Sequence, residues 1–203
     1  MNYFVTAIDT DSGKTVVSAI LCEALEADYW KPVQAGLPID RETVKNLISN
    51  SRTAIHRETY LLKTPASPHA AENLDGVRIQ LKDFIKPDTN NDLIIEGAGG
   101  CLVPLNDLNF VIDLAAQFDA EVVLVADLYL GSINHTLLTF KELKHRNLKL
   151  KGIIFNGESN PESERIILHH TNLHCLLHIA KEEIMNKITI KKYAKLLLNN
   201  WYG

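Results

Sequence analysis

The sequence predicts an α/β fold: a doubly wound, mainly parallel sheet flanked by helices, folded as a single domain over residues 1–203. Short apolar runs rich in β-branched residues alternate with longer amphipathic stretches, which is typical of parallel strands joined by crossover helices. Several of the short runs also lack polar alternation, as expected of strands that helices cover on both faces. With 46% hydrophobic residues, the chain is long enough for one well-buried core and short for two.

The first half of the chain contains three predicted strands and two predicted helices. Residues 3–7 are an apolar run that predicts the first strand, and residues 14–26 carry apolar side chains at helical spacing. A second apolar run at 29–33 predicts the next strand, and residues 41–49 repeat the helical spacing with charges on the opposite face. Residues 93–96 predict the third strand.

The alternation continues in the second half. Helices are predicted at 111–118 and 133–146 and strands at 121–126 and 151–156, so each helix would be a right-handed crossover between parallel strands. After residue 156 the pattern predicts a helix, a strand and a closing helix, at 162–170, 173–179 and 188–198.

Charge and cysteine content exclude several classes of protein. Lys and Arg total 21 against 25 Asp and Glu, so the broad positive field of a nucleic-acid or anionic-membrane binder is missing, and neither partner is expected. No apolar stretch approaches the roughly 18 residues of a membrane helix, and residues 1–7 lack the flanks of a targeting segment. Cys22, Cys101 and Cys175 are far apart and fit no metal-binding pattern, which predicts reduced thiols in a cytoplasmic protein.

A phosphate-binding loop follows directly after the first predicted strand. Residues 7–15 read AIDTDSGKT and lead into a helix. In such a loop, backbone N–H groups cradle phosphate oxygens, Lys14 reaches the β- and γ-phosphates, and the Thr15 hydroxyl faces Mg²⁺. The usual motif has a glycine five positions before Gly13, where Ile8 stands. An ordinary turn is the alternative, but the position between strand and helix favours nucleotide binding in a fold like that of the P-loop NTPases.

Two carboxylates are candidate ligands for the metal that accompanies a nucleoside triphosphate. Glu96 ends a predicted strand and precedes the sequence GAGG at 97–100, whose backbone can approach a ligand closely. Ligands of open α/β sheets bind at such strand ends. Asp40 precedes the helix predicted at 41–49, and from spacing alone it is equally compatible with an N-cap. For Glu96, a carboxylate that caps the turn is the alternative.

A lysine also lies at this edge of the predicted sheet. Lys31 lies near the end of the second predicted strand and is followed by PVQAG at 32–36. It is either a second cation that faces the phosphates or a strand-end lysine that extends into solvent. The residues alone leave both interpretations open.

Five sequence blocks together resemble the dethiobiotin synthetase family. They are VTAIDTDSGKT at 5–15, KPVQAG at 31–36, SPH at 67–69, EGAGG at 96–100 and LGSINH at 130–135. The blocks occur in the family's order, and the resemblance as a whole extends over residues 3–157. The pairing of the second block with the fourth is more specific than the phosphate loop alone.

The resemblance implies an ATP-dependent ligase of biotin biosynthesis that closes a cyclic urea. 7,8-Diaminopelargonic acid would take up CO₂ or bicarbonate as a carbamate, ATP would phosphorylate it to a carbamic–phosphoric anhydride, and the second amine would displace phosphate to give dethiobiotin. Because the carbamate and the triphosphate are both anionic, cations must line the gap between them.

The resemblance also implies which residues act. The catalytic residues would be Lys31, Lys14 and Thr10. The ligands of Mg²⁺ would be Thr15, Asp40 and Glu96. The nucleotide site would comprise Asp11, Ser12, Gly13, Lys14, Thr15, Val16, Asp40, Glu96, Gly97, Ala98, Gly99, Asn156 and Gly157. Of these, the last two match where the family binds adenine, and residues 179–182 would complete that pocket.

The substrate site would lie at the subunit interface of a homodimer. Its residues would be Ala35 and, from the neighbouring subunit, Gly131, Ser132, Ile133 and Asn134. The last four begin a predicted helix, whose backbone amides suit the distal carboxylate of the substrate. A serine N-cap is the alternative for this segment. Ala35 and Ala7 depart from the family pattern, since relatives carry a hydroxyl and a glycine there.

Three other functions are less consistent with the sequence. A partner-regulated ATPase switch of the same fold would need its signature lysine where Asp9 stands, and an amidotransferase-type synthetase would need a glutaminase domain for which the chain has no room. The cluster at 169–178 would bind metal only if His170, His174 and His178 lay on one helical face.

Ser67 and His69 are expected to form a loop near the substrate rather than a nucleophile–base pair, and Cys101 is expected to be structural.

Overall fold

The computed structural model describes residues 1–202, in which strands and helices alternate along the chain. The elements are β1 (Asn2–Ala7), α1 (Lys14–Leu25), β2 (Asp28–Trp30), β3 (Val33–Ala35), α2 (Asp40–Leu47), β4 (Tyr60–Leu62), α3 (Pro68–Asp75), a 3₁₀ turn (Leu81–Asp83), β5 (Leu93–Gly100), α4 (Asp113–Gln117), β6 (Glu121–Asp127), α5 (Ser132–His145), β7 (Leu150–Asn156), α6 (Pro161–Thr171), β8 (Cys175–Ile179) and α7 (Lys187–Trp201). Among residues 1–202, no helix combines the length and apolarity needed to cross a membrane.

Six strands form one parallel sheet in the order β2-β5-β1-β6-β7-β8. The order reverses at β1, whose neighbours are β5 and β6, and the loop after β1 therefore opens at the switch point where ligands of such sheets bind. β3 and β4 pair in a separate two-stranded parallel sheet. The predicted α/β fold with a doubly wound parallel sheet is confirmed.

Helices cover both faces of the sheet, which explains the unbroken apolar runs in its strands. Tyr3 and Val5 of β1 join the core cluster that includes residues of α1 and α7, whereas Phe4 joins the cluster on the opposite face. Val123 and Leu124 of β6 divide between the two clusters in the same way. Because successive side chains of a strand point to opposite faces, such strands need apolar residues at every position.

The structure corrects three element predictions. The strand predicted at 29–33 is divided, because β2 ends at Trp30 and β3 begins at Val33 in the other sheet; Pro32 lies between them and has no N–H to donate. The helix predicted at 111–118 is shortened to α4, and the strand predicted at 93–96 continues to Gly100. The sequence analysis also missed α3 and β4; β4 has only three residues, too few to give a clear periodic signal.

Candidate active site

The phosphate loop connects β1 to α1, and its shape depends on Gly13. Gly13 has φ +94°, and a Cβ built there would lie 2.4 Å from Asn156 Nδ2. Asn156 Nδ2 donates a hydrogen bond of 3.0 Å to the Ser12 carbonyl oxygen, so the end of β7 supports the loop directly. Only glycine combines this positive φ with so close a neighbour.

Lys14, the first residue of α1, is buried and folds back over the loop. Its Nζ donates to the carbonyl oxygens of Asp9 at 3.0 Å and Thr10 at 2.9 Å. Burial lowers the pKa of Lys14 to about 8, against a raising effect of the Glu96 carboxylate. The first turn of α1 continues with Thr15 and Val16 and contains no acidic residue, so its backbone amides suit an anion.

Lys31 lies between two carboxylates at the carboxyl edge of the sheet. Its Nζ is 2.5 Å from Asp40 Oδ2 and 2.9 Å from Glu96 Oε1. Lys31 is 5% exposed and Glu96 is fully buried. Burial alone would lower the pKa of Lys31, but the carboxylates of Glu96 and Asp40 outweigh it and raise that pKa. Burial alone would raise the pKa of Glu96, and the Lys31 ammonium reverses the direction, so Glu96 stays ionised.

Two further hydroxyl groups fix the Glu96 carboxylate. Thr15 Oγ1 donates to Glu96 Oε1 at 2.9 Å, and Tyr29 OH donates to Glu96 Oε2 at 3.0 Å. The sequence analysis missed Tyr29. It precedes Lys31 by two positions, and the period of two in a strand was the signal that could have placed both side chains on one face.

Gln34 is a second residue that the sequence analysis missed. It is 6% exposed, and its Oε1 accepts a hydrogen bond from the Asp40 backbone N–H at 3.2 Å. Its Nε2 donates to the carbonyl oxygens of Gly36 at 3.3 Å and Pro38 at 3.4 Å. The side chain therefore spans the loop between β3 and α2 and holds the start of α2. Asp40 is the first residue of that helix and Ile39 is the N-cap, so the N-cap alternative for Asp40 is wrong.

The donor set suits Mg²⁺. The Asp40 and Glu96 carboxylates both accept from Lys31, and the Thr15 hydroxyl donates to Glu96. Mg²⁺ is typically bound by one or two carboxylates together with substrate phosphates. Groups of three or more His, Cys, Asp or Glu residues that could hold a metal on their own do not occur within residues 1–202. These residues therefore fit a metal that phosphate oxygens help to hold.

Two adjoining cavities meet at this cluster. One, of about 390 Å³, is lined by phosphate-loop residues and Glu96; the other, of about 570 Å³, is lined by Ala35, Ser67 and Ala98 among others. Both are lined by Lys31 and Asp40. Further residues that line both are Thr10, Asp11, Gln34, Leu37 and Gly99. The two cavities can hold two ligands that contact each other, with the Lys31 ammonium beside both.

Four residues expected at the nucleotide do not line these cavities within the described chain: Ser12, Gly97, Asn156 and Gly157. Asn156 pairs in register with Ile179 of β8, and the Gly157 N–H donates to the Ile179 carbonyl oxygen at 2.9 Å. The structure thus brings residues 156–157 to the start of the segment 179–182, as the resemblance implies. The Asn156 amide, however, is bonded to the phosphate loop.

The segment expected to bind the substrate's distal carboxylate lies apart from Lys31. Gly131, Ser132 and Ile133 line a cavity of about 330 Å³, which within residues 1–202 shares no lining residue with the other two. Asn134 is exposed in the first turn of α5. Gly131 is the N-cap of α5, which makes the serine N-cap alternative wrong.

The histidines at 169–178 do not share the single helical face that a metal site would need. α6 ends at Thr171, His174 lies in a loop, and His178 is in β8. His174 Nε2 lies 3.0 Å from the Asn200 carbonyl oxygen, and His178 Nε2 lies 3.0 Å from that of Gly157. The histidines are separated because α6 ends at Thr171. Asn172 follows in the left-handed conformation that is common at the C-termini of helices.

The three cysteines are free thiols, as the sequence predicts. Cys22, Cys101 and Cys175 are free thiols in the described chain, and burial raises the pKa of Cys101 to about 11, so it is an inert thiol.

Ser67 and His69 do meet, contrary to expectation: Ser67 Oγ lies 3.0 Å from His69 Nδ1. The reason is that Ser67 is the N-cap of α3 and His69 is the second residue of that helix, so both lie in its first turn.

Comparisons with known proteins agree with one another. A family model described as an AAA domain matches residues 1–189. The chain is 61% identical to the ATP-dependent dethiobiotin synthetase of Cytophaga hutchinsonii over 98% of each chain, and 45% identical to that of Christiangramia forsetii over 96% of this chain and 94% of the relative. A relative of the same name from Rhodopseudomonas palustris is 52% identical over 81% of this chain and 78% of its own length.

Solved structures share the fold at low sequence identity. A putative plasmid partition protein of Borrelia burgdorferi bound to AMPPNP superposes with a TM-score of 0.58 at 15% identity, covering 99% of this chain and 97% of that one. A ParA family ATPase of Chlorobium tepidum gives a TM-score of 0.53 at 12% identity, covering 98% and 92%. At such identities the likeness concerns the fold alone.

Proposed function

The chain belongs to the ATP-dependent dethiobiotin synthetase family, and from this premise we propose how its own residues carry out the reaction. The family predicted from the five sequence blocks is confirmed, and the activity is that of an ATP-dependent ligase of biotin biosynthesis. We propose that the substrates are 7,8-diaminopelargonic acid, CO₂ and ATP. We further propose that residues 1–203 form one ligase domain, acting in the cytoplasm with its thiols reduced.

One observation carries the proposal: the buried Lys31 ammonium lines both adjoining cavities and is held by Asp40 and Glu96. We assign the smaller cavity to the triphosphate end of ATP and the larger one to the carbamate of the diamine. The carbamate oxygen must approach the γ-phosphorus although both groups are anionic. A fixed cation on the boundary offsets their repulsion and stabilises the charge that develops during phosphoryl transfer.

Lys14 and Thr10 complete the phosphate side of the site. In the described structure the Lys14 ammonium is bonded to two neutral carbonyl oxygens. Phosphate oxygens would replace them as stronger, charge-assisted partners, and the triphosphate would hold Lys14 protonated. The Thr10 hydroxyl lies close to Gly99, where a built Cβ would be 3.4 Å from Thr10 Oγ1, so it faces the junction of the two cavities.

Mg²⁺ would be held by Thr15, Asp40 and Glu96. When bound, it supplies positive charge to the phosphate oxygens. The Tyr29 hydroxyl and the Lys31 ammonium orient the Glu96 carboxylate, and Gln34 fixes the backbone of Asp40, so the chain presents these oxygens already placed. Such prior orientation lowers the cost of assembling the site.

We propose a homodimer in which the segment 131–134 serves the partner's site. Within one chain, this segment lies in a cavity separate from that of Lys31. Leu130 beside it is fully exposed, an apolar side chain that a second copy would cover. Mixing two inactive variants, Lys31→Ala and Ser132→Trp, should restore activity if sites are shared between subunits, because a mixed dimer has one site with neither change.

The proposed function is tested by product formation. Purified protein is supplied with ATP, Mg²⁺ and bicarbonate, with and without 7,8-diaminopelargonic acid, while ADP is assayed and dethiobiotin is detected by mass spectrometry. ADP and dethiobiotin should appear together, and only with the diamine. ATP hydrolysis without the diamine and without dethiobiotin would instead favour a switch-type ATPase of the same fold.

A further inference from the structure

A hydroxyl–imidazole pair lies at the wall of the larger cavity. Ser67 lines this cavity of about 570 Å³ together with Lys31 and Asp40, and its Oγ is 3.0 Å from His69 Nδ1. Both residues are half-buried. None of the roles assigned above to the phosphate loop, the metal ligands or Lys31 uses this pair.

The pair is not explained by helix capping. Ser67 is the N-cap of α3, where a serine hydroxyl usually accepts a hydrogen bond from a backbone N–H of the first turn. Within residues 1–202 the Ser67 hydroxyl makes no such bond. The backbone N–H of His69 donates to the Pro104 carbonyl oxygen at 3.3 Å instead. The backbone N–H groups of Ala70 and Ala71 donate to the Ser67 carbonyl oxygen. The hydroxyl is therefore left to the imidazole and the cavity.

The proposed reaction needs a proton acceptor beside this cavity. The ring-closing amine must lose a proton when it forms the second C–N bond. The titratable residues that line the larger cavity are Asp11, Lys31 and Asp40. Lys31 is a protonated ammonium held by two carboxylates, and Asp40 is engaged by that ammonium. Asp11 lies exposed in the phosphate loop and also lines the cavity assigned to the triphosphate. The His69 imidazole has a ring nitrogen that can accept a proton, and it is reached through Ser67.

We propose that Ser67 and His69 form a proton relay for ring closure, an inference that rests on the proposed function. The amine lone pair forms a bond to the carbonyl carbon of the carbamic–phosphoric anhydride, and the C–O bond to phosphate breaks with its electron pair leaving on phosphate. The amine proton passes to Ser67 Oγ as the Ser67 hydroxyl proton passes to His69 Nδ1. Ser67 thus contacts the substrate, and His69 acts through Ser67 as a positioning residue and final proton acceptor.

The test compares Ser67→Ala, His69→Asn and the double variant with the wild-type enzyme. Asn keeps a polar atom near the position of Nδ1 but cannot take up a proton at neutral pH. Each single variant should lower kcat for dethiobiotin formation about 100-fold, the usual size of a general-base contribution. The double variant should be no slower than either single one, because the two residues act as a unit. The KM for the diamine and the Kd for AMPPNP should stay within about threefold.

Two control variants separate a relay from a structural role. Ser67→Thr keeps the hydroxyl and should retain most of the activity, and Asn73→Ala removes only the hydrogen bond from Asn73 Nδ2 to the His69 carbonyl oxygen and should leave kcat unchanged. Thermal unfolding shows whether each variant is folded; where Ser67→Ala or His69→Asn is not, Ser67→Gly or His69→Gln replaces it under the same criteria.

Three results would overturn the relay: single variants with kcat near that of the wild type, losses that multiply in the double variant, or a change confined to the KM for the diamine. Each presupposes a wild-type enzyme that forms dethiobiotin. A wild-type enzyme that forms none would refute the proposed function itself, so the two failures are distinguishable.

Discussion

Lys31 Nζ lies 2.9 Å from Glu96 Oε1, although 65 positions separate the two residues in the chain. β2 pairs directly with β5, so the ends of the two strands lie side by side. A buried ion pair contributes little net stability on average, because removing two charges from water costs about as much as their attraction returns. Because Lys31 lines both cavities, we attribute the ion pair to function rather than to stability.

Replacing Lys31 tests this attribution. Lys31→Ala should lower kcat for dethiobiotin formation by at least about 100-fold, because a fixed charge-stabilising group is lost. It should also destabilise the fold by about 3–5 kcal/mol, because the buried Glu96 carboxylate keeps its charge without a cationic partner. Steady-state assays and urea unfolding measure the two effects. Lys45→Ala, which removes an exposed lysine of α2, is the matched control and should change neither. Near-normal turnover by folded Lys31→Ala protein would exclude the assigned role.

Glu96→Gln tests the metal site. The amide keeps the size of the side chain and an oxygen that accepts from Thr15 or Tyr29, but it removes the negative charge that Mg²⁺ requires. The Mg²⁺ concentration for half-maximal ADP release should therefore rise at least about tenfold. The free energy of unfolding, measured by urea titration, should fall by less than in Lys31→Ala, because Lys31 keeps Asp40 as a partner. A loss of stability with an unchanged Mg²⁺ requirement would make Glu96 a structural residue.

The sequence predicted the parts of this site that depend on local pattern. Lys31 and Glu96 lie at the ends of predicted strands, and a parallel sheet brings such ends to one edge. The contacts between them depend on strand order, which local periodicity does not encode. Tyr29 was missed for this reason, since it acts through a bond to Glu96 of β5. Gln34 was missed because its bond to Asp40 depends on the shape of the loop between β3 and α2, which periodicity does not encode either.

The shape of the phosphate loop depends on the contact between Gly13 and Asn156. Gly13→Ala should destabilise the fold by about 1–2 kcal/mol from the positive φ alone, with a further cost from the Asn156 amide. Asn156→Ala alone removes the amide and its hydrogen bond to Ser12, and adding Gly13→Ala to it should cost only the backbone part. Urea unfolding of the single and double variants measures both. Gly76→Ala is the matched control: its φ is +66°, and a built Cβ there meets no atom within 4 Å, so it shows the backbone cost alone. A Gly13→Ala change that costs as much in the Asn156→Ala background as in the wild type would contradict the steric explanation.

The buried Lys14 predicts a specific dependence of stability on pH. Its pKa is lowered by burial from 10.5 to about 8 in the folded chain. Between these values the unfolded chain binds more protons than the folded one, so the contribution of Lys14 to the free energy of unfolding rises with pH over this window. Below about pH 8 the folded protein bears the full cost of a buried charge, on the order of 3 kcal/mol.

Lys14→Met removes this cost at every pH while it fills a similar volume. Without nucleotide, the variant should unfold at a higher temperature than the wild type at pH 7, and the difference should shrink as the pH rises from about 8 toward 10. Lys31→Met is the opposite case, because the pKa of Lys31 is raised and its removal leaves carboxylates unpaired; it should lower the unfolding temperature at pH 7. AMPPNP with Mg²⁺ should stabilise the wild type and not Lys14→Met, because a bound triphosphate turns the buried ammonium into a paired charge. A constant difference between Lys14→Met and the wild type from pH 7 to 10 would show that Lys14 is not the group that titrates.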